Sequence, residues 1–530
     1  MKKIIRVVTV LFLLYLPSAG INAQTQEEVR QQANKLAQTL YYINALYNDN
    51  VDNIKLTDEA IAKIMSQLDP HSVYVTAKDA KAMNEPLEGN FEGIGVEFTI
   101  IRDTISIVNP IAGGPSERVG ILAGDKIVSI ENEKVAGVGI TNEKVFKLLK
   151  GPKGTRVNIS VLREGRGLLN FEIVRDRIPI NSLDACYEVA PGIVYFKLSR
   201  FSATSTEEIK KGISDLKLKN IKGIVADLRG NGGGFLNTAI EIVDMFLDKD
   251  QTIVYTEGRR SPRRDTFASG EGLFKNVPLA VLIDEGSASA SEIFSGAIQD
   301  WDRGAIIGRR SFGKGLVQQM IPFNDGSLLR LTIARYHTPS GRVIQKPFVA
   351  GNKESYYMDL NNRYESGELF HEANRNLPDS LKYKTLKLGR TVYGGGGISP
   401  DVFIPADTSD FSPFLLNIIR KGIQNEYVND YVNKNRDELK REYKTFNTFN
   451  KEFNPDNLFM DKFYSYAESR GVAKDVNGVA ASEERLKNYI KALMARSLFD
   501  GNAYFRVVNS YKDKELDAAL GYLNGGLKVF

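Results

Sequence analysis

Two short stretches hold residue types that could do chemistry together. "DEGSASASEIFSG" (Asp284 to Gly296) carries three serines separated by single alanines, directly after the apolar run "PLAVLI". A buried strand that feeds a helix through small residues can display a nucleophile. "RRSFGKGLVQQ" carries Lys314 between Gly313 and Gly315, with Phe312, Leu316 and Val317 beside it. A neutral lysine can accept a serine's proton. Lowering its pKa from about 10.4 to about 7 takes roughly 4 kcal/mol, which burial supplies by disfavouring the ammonium. The histidines are His71, His337 and His371, and none stands in a zinc motif. A Ser-His-Asp triad stays open, because its members need not be close in sequence. His371 lies in the polar run "ELFHEANRN" and His71 in the N-terminal helical segment, which leaves His337 as the one set among the core's strands and helices.

Helical phasing bears on which serine is displayed. If a helix starts near Ser289, then Ala290, Ile293, Phe294, Ala297 and Ile298 form one apolar stripe. Ser287 and Ser291 then share a side, and Ser289 points elsewhere, at the helix start. Unpaired N–H groups and the positive end of the dipole gather there. The N–H of Ala290 is placed to meet a developing oxyanion. This leans towards Ser289, and leaves Ser287 open as an N-cap and Ser291 as a polar helix residue. Asp300 comes eleven residues after Ser289, too far along a continuous helix to touch it, and reads as structural.

The elements that must position these residues change character along the chain. Residues 24–87 read as helical, with a break at "LDPHSVYV". Residues 88–178 alternate apolar and polar residues in five short runs, interrupted by two helix-like pieces, as in a small β-rich module. Residues 179–405 alternate buried-strand runs ("GIVYFKL", "IKGIVADL", "LAVLID", "GAIIGRR") with amphipathic helices, the pattern of an α/β core. Residues 406–530 are charged, aromatic and mostly helical by pattern, with no catalytic motif and no assigned role.

Bulk properties narrow the class. The chain has 530 residues, 42% hydrophobic and 25% charged, with a net charge of +5. That charge is too weak and dispersed for a nucleic-acid partner. A single cysteine, Cys186, allows no internal disulfide and reads as a small buried residue. "MKKIIRVVTVLFLLYLPSAGINA" has a basic start, an apolar stretch short of a span, and small residues ending in Ala23. Residues 1–23 are therefore expected to be a cleaved signal peptide rather than a membrane anchor, and the protein to be exported, to the periplasm.

Residues 88–178 resemble a PDZ domain of the bacterial type, on "GIGV" (Gly93, Ile94, Gly95 and Val96), "GGPSERVGILAGDKIVSIENEKV" and "LLKGPKGTRV". Backbone N–H groups converging at the two glycines could nest a terminal carboxylate, and the following strand offers an edge to a peptide. The stretch from Glu285 to Gln319 closely resembles the active-site segment of the carboxyl-terminal processing peptidases, or tail-specific proteases. The resemblance spans roughly residues 55–405 in order. It implies a multidomain α/β protein: a crotonase-like α/β protease core preceded by a PDZ domain. It implies Ser289 as nucleophile, Lys314 as base, and Gln318 as an aid to that lysine. The last role requires a compact or bulged "GKGLVQ" backbone. "ADLRGNGGG" matches the family's oxyanion segment, so Gly233 or Gly234 would donate together with Ala290. Gly232 departs from the family pattern, which often has proline there, and could loosen that loop. The implied activity is an exported serine endopeptidase that takes protein or peptide substrates by free, apolar C-termini. No cofactor or metal is expected, and a homo-oligomer or an activating partner protein stays open. The alternatives are an inactive PDZ peptide-binding scaffold and, more remotely, an acyl-CoA enzyme.

Overall fold

The computed structural model describes residues 23–111, 113–372 and 378–530, so the expected leader lies outside the described residues except for Ala23. Its centre is a six-stranded sheet. The strands run in the order Leu183–Ala190, Ile193–Leu198, Gly223–Asp227, Leu279–Ile283, Ala305–Gly308 and Val402–Phe403. The first pair is antiparallel and the remaining pairs are parallel. Their unbroken apolar sequences have a direct cause, because both faces of a parallel sheet are covered. Val194, Phe196, Ile224, Ala226, Val281 and Ile306 point into one core with the helices Ser205–Asp215, Leu236–Asp244 and Ala290–Asp300. The alternate residues Ile193, Tyr195, Val225, Leu282 and Ile307 pack in a second cluster with Leu516 and Ala519.

A second sheet stands beside the first, with order Val73–Val75, Leu328–His337, Thr252–Gly258 and Ser261–Phe267; Leu316–Pro322 also pairs with Leu328–His337. It carries the segment after Lys314. The N-terminal region forms the helices Ala23–Leu46, Asn53–Ser66 and Ala77–Glu88. The break at residues 68–75 is anchored by Asp69. One of its oxygens accepts the N–H groups of His71 (2.9 Å) and Ser72 (3.0 Å) and the hydroxyl of Thr332 (3.0 Å). This short-range side-chain turn folds the loop back onto the second sheet.

The β-rich module has its own sheet, in the order Val96–Ile101, Thr104–Pro110, Lys126–Ile130, Arg156–Arg163 and Gly167–Val174, and its own apolar core. It joins the rest through a two-stranded neck in which Asn90–Gly93 pairs with Asp176–Pro179. The C-terminal region divides in two. Residues from Phe414 to Val507 build a separate helical core, rich in aromatic contacts. The last helix, Lys514–Leu523, instead covers a face of the central sheet.

Candidate active site

The three serines separate cleanly by their surroundings. Ser287 and Ser291 are fully buried. The Ser287 hydroxyl donates to the Leu228 carbonyl (2.8 Å), and that of Ser291 to the Asn231 carbonyl (2.8 Å). Both tie the turn to the "DLRGN" loop. Ser289 alone of the three lines a cleft. It occupies the N-cap of the helix Ala290–Asp300 with φ +56° and ψ −111°. This region is sparsely populated for a residue with a Cβ and costs about 1–3 kcal/mol. The turn lifts the side chain out of the helix path, as a nucleophile elbow does.

The glycine loop touches this turn. A Cβ on Gly233 would lie 2.7 Å from the Ser289 Cβ and 2.9 Å from the Ala288 carbonyl oxygen, and φ there is +103°. Only glycine fits that approach. A Cβ on Gly234 would collide with the Phe201 carbonyl oxygen at 2.1 Å. The two glycines differ as oxyanion donors. The Gly233 N–H is committed to Asn231 Oδ1 at 2.9 Å. Gly233 therefore serves close approach rather than donation, a correction to its expected role. The N–H groups of Gly234 and Ala290 have no partner among the described residues, the latter because it opens a helix. At Gly232 a Cβ would meet nothing within 4 Å, and φ lies outside the left-handed region; neither observation opposes the family's proline there.

Glu292 joins the two chemical segments, and sequence reasoning missed it. Its buried carboxylate accepts the N–H groups of Ser289 (2.8 Å), Gly313 (2.6 Å) and Lys314 (2.8 Å) and the Ser311 hydroxyl (2.5 Å). Three of the four partners are backbone N–H donors and the fourth is a hydroxyl, an arrangement that suits a carboxylate. Burial pushes this carboxyl above its usual range, while those bonds hold it down. The signal was present: Ser289 and Glu292 have the S-x-x-E spacing of a capping box. The Tyr336 hydroxyl donates to the Ser289 carbonyl (3.1 Å) and also abuts that of Lys314.

The cleft has a volume of about 780 Å³ and gathers Ser289, Ala290, Gly233, Gly234, Lys314 and Gln318, together with Arg330 and Tyr336. The Lys314 pKa is lowered to about 8, by burial first and then by the charge of Arg330, against the opposing charges of Glu292 and Asp69. At pH 7 roughly a tenth of such a lysine is neutral, so a proton-free base is within about 1.4 kcal/mol. The strand after Lys314 does bulge, with its register shifting between Val317 and Gln318. The Gln318 amide nevertheless donates to the Leu316 carbonyl (3.1 Å) rather than to Lys314. Gln318 thus shares the cleft with the lysine while its amide is bonded to the backbone.

His71 and His337 have partners other than Ser289. His71 bonds Tyr356 Oη through Nε2 (2.9 Å), and its pKa is lowered to about 4 by burial and then by Lys314. It sits in the folded-back loop rather than within a helix, near the lysine, which the sequence did not indicate. His337 stacks on Tyr255 at 4.4 Å. Asp300, at the far end of its helix, is buried against Arg342 (2.6 Å). The Cys186 thiol is buried, and its pKa is pushed up to about 12.

In the β-rich module, Gly93 ends the neck strand and Gly95 has φ +74°. The Ile94 carbonyl accepts the N–H (3.0 Å) and hydroxyl (2.7 Å) of Ser116, which fixes the loop. Val96 opens an edge strand, and Phe98 on it meets Phe146 of the helix Asn142–Leu149 at 5.6 Å.

Comparison with known proteins agrees with this architecture. Residues 192–354 match the model of peptidase family S41, residues 93–173 that of the PDZ domain, and residues 414–500 a family of unknown function. The chain is 37% identical over 353 residues to a carboxy-terminal-processing protease of Bartonella bacilliformis, covering 65% of this chain and 80% of that protein. It is 36% identical over 343 residues to the carboxy-terminal processing protease CtpB of Bacillus subtilis, covering 63% and 71%. It is 31% identical over 398 residues to a probable CtpA-like serine protease of Staphylococcus epidermidis, covering 74% and 78%. With its multidomain α/β build, PDZ domain and helical C-terminal region, the chain belongs to the carboxy-terminal processing proteases of peptidase family S41 and is a serine-type endopeptidase.

Proposed function

We propose that this protease cleaves peptide bonds with Ser289 as nucleophile and Lys314 as its general base. The Ser289 oxygen forms a bond to the scissile carbonyl carbon as its proton passes to the neutral Lys314 amine. The oxyanion is held by the N–H groups of Ala290 and Gly234. Lys314 returns the proton to the departing amine, which leaves an ester on Ser289. Water then cleaves that ester with the lysine again as base. Glu292 positions both backbones without meeting the substrate. The observation that carries this reading is the sorting of the serines: two are locked by carbonyls, and the third faces the cleft it shares with a lysine whose ammonium burial disfavours.

The PDZ domain would take the free C-terminus of a substrate, with the carboxylate at Gly93–Val96 and the tail along the open edge beside Phe98 and Phe146. Apolar terminal side chains suit that setting. The protein works outside the cytoplasm, in the periplasm, after removal of residues 1–23; the basic and apolar leader supports this. The test is a tail-cleavage assay with Ser289→Ala and Lys314→Ala. Each should reduce kcat by about 10⁴-fold or more, and mass spectrometry with an acylating inhibitor should find the label on Ser289. Retained cleavage by Ser289→Ala would sink the assignment.

A further inference from the structure

Resting on the cleft above being the active site, we infer that Arg330 is a subsite for a carboxylate of the substrate, so that chains with an acidic group near the scissile bond are favoured. Arg330 lies in the strand Leu328–His337, between Met320 on one side of the ladder and Val73 on the other. Its guanidinium lines the cleft, half-buried, with no carboxylate partner. Nε is buried with no partner, and the remaining contact is a long approach of Nη1 to Met83 Sδ at 3.9 Å. A partly dehydrated cation without an anion is costly to keep.

The protein's own carboxylates are engaged elsewhere. Asp69 acts on Arg330 through its charge, but forms no ion pair with it and accepts from His71, Ser72 and Thr332, and Glu292 accepts four donors. Glu241, also on the cleft, accepts the Thr206 hydroxyl at 2.7 Å. The missing anion therefore has to arrive with a ligand. A guanidinium matches a carboxylate through two parallel bonds. The carboxylate can come from an acidic side chain or from a chain terminus.

Such a ligand would also act on the lysine. The charged and titratable groups facing Lys314 are Glu292 from its helix, Asp69 and His71 from the folded-back loop, and Arg330. A carboxylate on Arg330 cancels the charge that disfavours the ammonium. Acidic substrates should therefore show the rising limb of kcat at higher pH than neutral ones.

The test uses the full chain and peptides with Glu or Gln at one position at a time on either side of the scissile bond, each with a free or an amidated terminus. The expected result is one position at which Glu exceeds Gln by about tenfold to a hundredfold in kcat/KM, mostly through KM. Arg330→Gln should bring that ratio near one, Arg330→Lys should keep part of it, and Arg330→Glu should favour Lys at the same position. A preference for acid over amide that Arg330→Gln removes would identify a chain-terminal carboxylate instead. Equal rates throughout for the wild type, or a ratio that Arg330→Gln leaves unmoved, overturns the inference. If Arg330→Gln does not fold, Arg330→Lys against wild type decides. Ser289→Ala run alongside keeps the two readings apart: cleavage by it removes the active-site assignment, whereas an unmoved ratio with an inactive Ser289→Ala removes only the subsite.

Discussion

The C-terminal region holds the protease core and the PDZ domain in different ways. Against the core it sets a packed helix and a semi-buried ion network. Leu516 and Ala519 enter the central sheet's cluster, Asp513 bonds Arg229 (2.9 Å), and Glu515 bonds Arg309 (2.6 Å). Arg229 also grips Asp227 (2.6 Å) and stands two residues before Asn231, which orders the glycine loop. Against the PDZ domain it sets surface ion pairs, Arg496 with Glu97 (3.3 Å) and Arg102 with Asp430 (3.5 Å), and places Asn433 beside Gly124. The side chains of the first pair are 55% and 46% exposed, the setting in which such pairs contribute little. Beyond its neck and Lys150 with Glu85, a further tie is the exposed pair Lys78 with Glu143 (2.7 Å), so the PDZ domain is lightly held. The chemistry is built on a braced platform, and the peptide-recognition module hangs from it by a narrow attachment.

The largest effect that would sharpen this contrast belongs to Gly233→Ala. Its new Cβ displaces the Ser289 turn, so kcat should fall by about 10²–10³-fold, while peptide affinity of the PDZ domain, read by calorimetry, stays at the wild-type value. Loss of both together would mean that the modules are not separable. Leu516→Ala comes next. Emptying a packed site should cost about 2–4 kcal/mol, seen as a lower melting temperature of the core; a neutral result would mean that the last helix is not a brace.

The third effect is on pH dependence. If Lys314 is the base, as proposed, it must be neutral, and its pKa is about 8, so kcat should climb with pH through that value and lose about tenfold per unit below it. PDZ binding of a carboxylate that ionises near pH 3.5 should be flat over the same range. A flat kcat profile from pH 6 to 9 would exclude Lys314 as the titrating base. The smallest effect belongs to Arg496→Ala, about 0.5 kcal/mol or less in thermal stability. A loss several times larger would show that the PDZ domain is clamped.

Much of the site was legible because its signals are local. The apolar run "PLAVLI" followed by small residues fixed a strand-to-helix turn, and helical phase alone leaned towards Ser289. Glu292 was legible in principle as the reciprocal half of a capping box but went unread. Arg330 left no local mark, and the break at "LDPHSVYV" did not reveal that Asp69 and His71 fold back towards the lysine. Arg330 is one cation in an alternating strand, and its meaning depends on which strands flank it.

By itself, the sequence determined the order of modules and the strand-to-helix turn, and it singled out the serine and lysine proposed here as nucleophile and base, since each follows from periodicity, turn chemistry and motif within a few dozen positions. Only the tertiary structure decided which glycine N–H stays free, that Gln318 turns to Leu316, that Arg330 lowers the lysine's pKa, and that the last helix belongs to the core. Those outcomes depend on competition for hydrogen bonds and on burial between segments tens to hundreds of residues apart, and no local pattern records who wins it.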